Sequence, residues 1–141
     1  MFYRYEDLKV GDSNAFEKTI SEADILLFSA VSGDTNPLHC DEKYAKTTKF
    51  GRRIAHGALS NALISTALTR TFPTSIYISQ HTEFVAPVYI GNTIRAVVTC
   101  LEKLEKGHVR MKTECFDETD RLVVTGEAVV RCAREIPLDI I

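Results

Sequence analysis

Gly57-Ala58-Leu59-Ser60-Asn61-Ala62-Leu63-Ile64-Ser65-Thr66-Ala67-Leu68-Thr69-Arg70 carries a single charge, at its last position. Its apolar residues occupy more than one helical stripe, and the other positions are mostly Ser, Thr and Asn. A helix this poor in charge is predicted to be buried on most sides. Phe72-Pro73 ends it, because proline cannot continue the hydrogen-bond ladder and disfavours helix just before it.

Downstream the hydrophobic period changes to two. Residues 75–85 put Ile76, Ile78 and Phe84 on one face. Residues 93–103 do the same with Ile94, Ala96, Val98 and Cys100. Residues 108–116 set Val109, Met111 and Cys115 against His108, Arg110, Lys112 and Glu114. Residues 121–132 set Leu122, Val124, Ala128 and Val130 against Arg121, Thr125, Glu127 and Arg131. Such alternation predicts an antiparallel sheet with one covered face. Glu105-Lys106-Gly107 and Glu118-Thr119-Asp120 read as its hairpin turns. Gly126 removes a side chain mid-strand, where something approaches closely, and the central helix is the expected neighbour. Helices first and strands after mean α+β. A curved antiparallel sheet wrapped around one long buried helix is the hotdog arrangement, which is the expected fold.

Upstream, Val10-Gly11-Asp12 is a turn signal and residues 14–20 form a candidate strand. Ser21-Glu22-Ala23-Asp24 reads as a helix start, with Ser21 as cap and Ile20 as apolar staple. Gly33 is placed to stop that helix. Asp34, Asn36 and Pro37 then predict an irregular turn from Gly33 to His39, and Asp41 caps a short helix around Tyr44 to Lys46. No repeat or linker interrupts the chain, so residues 1–141 read as one domain.

Apolar residues make up 45% of the chain and charged residues 26%, a globular balance that excludes low-complexity disorder. The net charge of −2 supplies no basic field for nucleic acid or an anionic membrane. No apolar run approaches the roughly 20 residues that span a bilayer. The N-terminal residues lack a secretory pattern, and Leu138 to Ile141 match no address signal. Cys40, Cys100, Cys115 and Cys132 show no C-x-x-C spacing, and the last three fall on apolar strand positions. A reducing, cytoplasmic compartment is the expectation.

Three features offer chemistry. The first is the acid and imidazole of Asp34 and His39, five residues apart on a turn that can aim both at one point. A carboxylate and an imidazole form a pair able to move a proton near neutrality. The plain alternative is an Asx turn with His39 packed inside. The second is Ile54-Ala55-His56-Gly57-Ala58, where the long helix begins. Its first amides have no helical partner, and a glycine lets a carbonyl oxygen approach them. The alternative is a glycine that merely admits the chain to the helix, with His56 packing or capping. The third is Ser65, two turns in, which bonds either its own backbone or a catalytic group. His81 and His108 read as surface residues. Lys49, Arg52 and Arg53 form a cationic loop that is either solvated or suited to a phosphate-bearing tail. No set of residues reads as a metal site.

The run Phe28-Ser29-Ala30-Val31-Ser32-Gly33-Asp34-Thr35-Asn36-Pro37-Leu38-His39, followed by Ala45, resembles the signature of the MaoC-like (R)-specific enoyl-CoA hydratases. Supporting segments lie at residues 6–12, 50–57, 84–87 and 124–128. The resemblance implies a hotdog homodimer acting on an acyl-CoA thioester, with no separate cofactor, no nucleic acid and no membrane partner. It implies a catalytic role for Asp34 and His39, and an amide donor to the thioester oxygen at Gly57. It places Ser65 at the site and gives Asn36 a loop-shaping role. His56, Arg52 and Arg53 are further candidates for substrate contact, and Leu68 and Val129 for the acyl pocket. The implied reaction is reversible addition of water to a trans-2-enoyl-CoA, giving the (R)-3-hydroxyacyl-CoA. A 3-hydroxyacyl-ACP dehydratase, a hotdog thioesterase and a non-catalytic acyl-CoA binding module are the alternatives, since one fold hosts many functions.

Overall fold

In the computed structural model, which describes residues 4–132, the chain enters through a strand and a capped helix. Strand β1 is Ser13–Thr19 and helix α1 is Glu22–Ser32. Ser21 closes a capping box: Asp24 N–H donates to its hydroxyl, and its own N–H donates to the Asp24 carboxylate. Ile20 and Ile25, the two staple positions, are both fully buried. Gly33 ends α1 in the left-handed region at φ 77°, its N–H donating to the Ser29 carbonyl.

The next segment corrects the sequence reading. Residues 33–39 are not wholly irregular, because Pro37–Cys40 forms one helical turn, α2. Proline suits the first helical position, where no N–H is needed, and the Asn36 side chain caps the turn by accepting from Leu38 N–H. Asp41 caps a second short helix, α3, over Glu42–Ala45.

Helix α4, Gly57–Thr71, is the long one, and β2 (Ile76–Phe84), β3 (Thr93–Lys103), β4 (His108–Phe116) and β5 (Leu122–Arg131) follow. All pairings are antiparallel, in the order β1-β3-β4-β5-β2. Helix α4 packs on one face of the sheet, chiefly against β1 and β3. Register shifts at 77/79, 100/102 and 115/116 mark irregularities that bend the strands around it. This is the hotdog arrangement expected from the sequence.

The core joins Leu63, Ile64, Ala67 and Leu68 of α4 to the inward face of the sheet, including Ile94, Val98, Met111 and Val130. Three details depart from expectation. Helix α4 is buried along one side only, and Ala58, Ala62 and Thr69 face outward; small neutral residues, rather than full burial, account for its lack of charge. Val123, not Leu122, is inside, because the register shifts where β4 meets β5. Along β2 the apolar face is uncovered: Ile76, Ile78 and Phe84 are all exposed, on a strand at the sheet's edge.

Gly126 answers to a different neighbour from the one expected. A Cβ there would lie 2.0 Å from the His81 carbonyl oxygen, so it is the backbone of the paired strand β2 that comes close, not α4. Cys100, Cys115 and Cys132 are buried free thiols, and burial pushes the last two up to about 12. Among the described residues no helix is long and apolar enough to cross a membrane. The C-terminal stretch read for address signals, 138–141, lies outside the described residues.

Candidate active site

The turn after α1 is built from side chain to backbone. Asp34 N–H donates to Ser32 Oγ, and Asp34 Oδ1 accepts from Asn36 N–H at 3.1 Å, an Asx turn. That leaves the exposed Asp34 carboxylate beside the start of α2. One turn later α2 turns His39 inward, where only 8% of it is exposed.

His39 Nδ1 lies 2.8 Å from the Ile54 carbonyl oxygen. A carbonyl only accepts, so Nδ1 carries the proton and the neutral ring keeps its lone pair on Nε2. Burial holds the pKa of His39 below the ordinary imidazole value of 6.5. The Ile54 carbonyl pulls it up, neighbouring His56 pushes it down, and the Asp34 carboxylate pulls it up again. His39 is thereby a neutral base with a bare outer nitrogen.

His56 caps α4 without a side-chain bond to that helix. Its Nε2 instead donates to the Asp34 carbonyl oxygen at 3.0 Å, with Ser29 Oγ at 3.3 Å. The ring is buried between Phe28, at 4.9 Å, and His39, at 4.0 Å between centroids. Its Nδ1 is buried without a hydrogen-bond partner among the described residues. This imidazole fastens the acid's backbone to the helix tip.

An oxygen of Asp34 and one ring nitrogen each of His39 and His56 all lie within 4.8 Å of one another. Such spacing can gather a cation, but the nitrogens are engaged: His39 Nδ1 and His56 Nε2 each donate to a carbonyl. Of the acceptors left free, His39 Nε2 and the Asp34 carboxylate suit a water molecule that donates to both, and His56 Nδ1 is a third, buried one.

A cavity of about 430 Å³ opens here. His39, His56 and Gly57 form its polar end, and Phe84, Ala86 and Val88 its apolar wall. Gly57 is the first residue of α4, whose leading amides lack helical acceptors and carry the positive end of the dipole. A Cβ on Gly57 would come 2.8 Å from the Phe84 ring, so glycine keeps this mouth open. An imidazole and a bare helix tip therefore border one small apolar volume, and the Asp34 carboxylate lies within 4.8 Å of that imidazole.

The chain matches the model of the MaoC like domain over residues 9–123. It belongs to the MaoC-like family. An (R)-specific enoyl-CoA hydratase of Rhodospirillum rubrum is 45% identical over 133 residues, spanning 92% of each chain. A 3-hydroxybutyryl-CoA dehydratase of Methylorubrum extorquens is 38% identical over 138 residues, covering 96% of this chain and 87% of its own. Among solved structures, the unliganded R-hydratase PhaJ1 of Pseudomonas aeruginosa superposes with a TM-score of 0.89 at 44% identity, over 94% of this chain and 86% of that one.

The remaining candidates in this MaoC-like domain separate cleanly. Asn36 caps α2 and shapes the loop. Arg53 is not presented to solvent: its Nε donates to the His39 carbonyl oxygen and its Nη1 to both oxygens of Glu22. It ties the loop to α1, which leaves little of it for a phosphate. Arg52 is exposed and stacks over the Tyr89 ring at 4.1 Å, beside the segment that leads to His56. Ser65 and Leu68 lie farther along α4 and do not line this cavity, Leu68 being in the core. Val129 sits on β5, away from it. Sequence reasoning passed over Ser60 and Asn61, which do line it. Their signal was helical spacing, since residues three and four beyond Gly57 share its face.

Proposed function

We propose that this chain is an (R)-specific enoyl-CoA hydratase, adding water reversibly to a trans-2-enoyl-CoA to give the (R)-3-hydroxyacyl-CoA. The observation that carries this reading is the meeting of His39 and the Gly57 helix tip at one cavity, with an Asp34 carboxylate oxygen within 4.8 Å of a His39 ring nitrogen, in a chain 45% identical to a hydratase of that name.

Hydration needs a base for the water, a proton for C2 and stabilisation of the thioester oxygen. In this reading one water donates its two hydrogens to the Asp34 carboxylate and His39 Nε2, leaving an oxygen lone pair aimed at C3. As the C3–O bond forms, one water proton passes to the pair and the C2–C3 π electrons move to C2 and the carbonyl oxygen. The Gly57 amide, in the positive field of the helix end, holds that oxyanion; removing one such donor typically costs about 10²–10³ in rate. The pair then returns a proton to C2 on the same face. The sum is addition of H and OH across one double bond, and the dehydration direction retraces the path. No cofactor enters these steps, the CoA thioester being substrate.

We also propose a homodimer. What supports it is the edge strand β2, whose exposed Ile76, Ile78 and Phe84 offer an apolar strip and unpaired backbone groups to a second copy.

The test is incubation with crotonyl-CoA, followed by loss of the enoyl chromophore, product mass and chiral analysis. Gain of one water with the (R)-3-hydroxy ester is expected. Release of free CoA thiol points instead to a thioesterase, and binding without turnover to a binding module; either overturns the assignment. A sizing column at the monomer mass overturns the dimer.

A further inference from the structure

Helix α2 is a single turn, Pro37–Cys40, and an isolated turn of helix does not hold its shape in water. His39 sits on it, so its imidazole is aimed only as firmly as the turn is fixed. At the start of the turn the Asn36 side chain accepts from Leu38 N–H. The rest of the grip comes from two neighbouring residues, Arg53 and Ile54. Ile54 N–H donates to the Leu38 carbonyl at 3.3 Å, and the Ile54 carbonyl accepts from His39 Nδ1 at 2.8 Å. Arg53 Nε donates to the His39 carbonyl at 2.5 Å. That carbonyl lies at the end of α2, where helical N–H groups run out and a cation is well placed.

Arg53 is itself fixed from the far side. Its Nη1 donates to both carboxylate oxygens of Glu22 at 2.8 Å, in the first turn of α1. The Arg53 side chain is 11% exposed and that of Glu22 54%. One guanidinium therefore joins α1 to the backbone of the residue that carries the base, using two nitrogens of a rigid fork. The tie is made although Nη2 stays buried with no hydrogen-bond partner among the described residues. Asp34 and His56 are the charged and titratable groups that face the His39 ring, whereas Arg53 touches its main chain. Resting on the hydratase reading, we infer that Arg53, anchored by Glu22, is a positioning residue for hydration, holding α2 so that His39 Nε2 stays aimed at the attacking water.

The experiment compares wild type with Arg53→Met, Glu22→Ala and Glu22→Gln. It reads kcat and KM for crotonyl-CoA per folded protein, and the nitrogen NMR spectrum of the His39 ring at a pH where the ring is neutral. The His39 signals are assigned by their loss in His39→Gln. The wild type is expected to show one tautomer, with the proton on Nδ1. Arg53→Met is expected to lower kcat by about tenfold with KM little changed, since small misplacements at a reacting centre are costly. Its ring should populate the Nε2–H tautomer as well. Glu22→Ala, which leaves residues 53 and 54 intact, should move both readouts the same way and less. Glu22→Gln keeps an oxygen for Nη1 and should restore both. A merely structural role would lower Tm and leave kcat and the tautomer as in the wild type. Unchanged kcat and tautomer in Arg53→Met overturn the inference, and so does their persistence in Glu22→Ala should Arg53→Met not fold. Failure of the wild type to hydrate crotonyl-CoA would instead overturn the hydratase reading, while the tautomer spectrum would still test the grip of Arg53 on His39.

Discussion

Two glycines in contact with strand β2 have no room for a side chain, and the obstacle differs. At the cavity mouth a Cβ on Gly57 would meet ring carbons of Phe84 at 2.8 to 3.1 Å. At the seam between β5 and β2 a Cβ on Gly126 would meet the His81 carbonyl oxygen at 2.0 Å. A ring at the end of an exposed side chain can swing aside, whereas a carbonyl inside a paired strand cannot move without opening the sheet. The mouth is therefore a place where sequence change alters chemistry, and the seam a place where it alters folding. The same division runs through the molecule. Side chains of the candidate site are held by backbone carbonyls, Ile54 for His39, Asp34 for His56 and His39 for Arg53. The sheet is held by packing and register.

The comparison can be broken most decisively at the seam. Gly126→Ala is expected to lose more than about 4 kcal/mol, beyond ordinary point substitutions, and to leave little soluble folded protein. A variant with near wild-type Tm would show that β2 yields as easily as Phe84. At the candidate site, Asp34→Asn is expected to lower kcat by about 10²–10⁴ while Tm holds, because an asparagine oxygen can still accept from Asn36 N–H. Retained turnover would remove Asp34 from the mechanism. Gly57→Ala should fold, displace the Phe84 ring and reduce kcat/KM by about 10–100-fold, since small misplacements at a reacting centre are costly. Loss of folded protein there would erase the distinction between mouth and seam.

The smallest effect is a shift in pH dependence. The folded-state pKa of His39 is depressed by burial below 6.5, so its base form persists to lower pH than a free imidazole. The acid limb of kcat/KM is expected to lie below that value. Stability carries the matching sign: as pH falls through 6.5 the unfolded chain takes up the proton first, so this contribution is lost until the folded ring also protonates. Both shifts should vanish in His39→Gln, read by kinetics for residual activity and by thermal unfolding for stability. An acid limb above 6.5 would mean that His39 is not held as a buried neutral base.

Much of the fold was legible because strand period, caps and turns are local. Ile94 to Cys100 and Val109 to Cys115 face inward as their alternation implies, and Ser21 and Gly33 bound α1 as capping chemistry requires. The misreadings cluster where a neighbour distant in sequence intervenes. Pro37 reads as part of an irregular turn, yet at a first helical position it starts α2. Gly126 was assigned to the helix, yet it serves the strand beside it. Arg53 was grouped with Arg52 by sequence adjacency, but one is spent on Glu22 and the His39 carbonyl and the other lies over Tyr89.

For the site, residue identity alone singled out Asp34, His39 and Gly57, because an acid, an imidazole and a bare glycine amide are scarce chemical types placed on a turn and a helix tip. Their orientation came only from tertiary contacts. Which nitrogen of His39 is free depends on a carbonyl fifteen residues away, and which residues line the cavity beside it depends on how α4 lies against the end of β2. Local patterns encode elements through backbone periodicity and steric preference; proton position and cavity length depend on groups that only folding brings within hydrogen-bond reach.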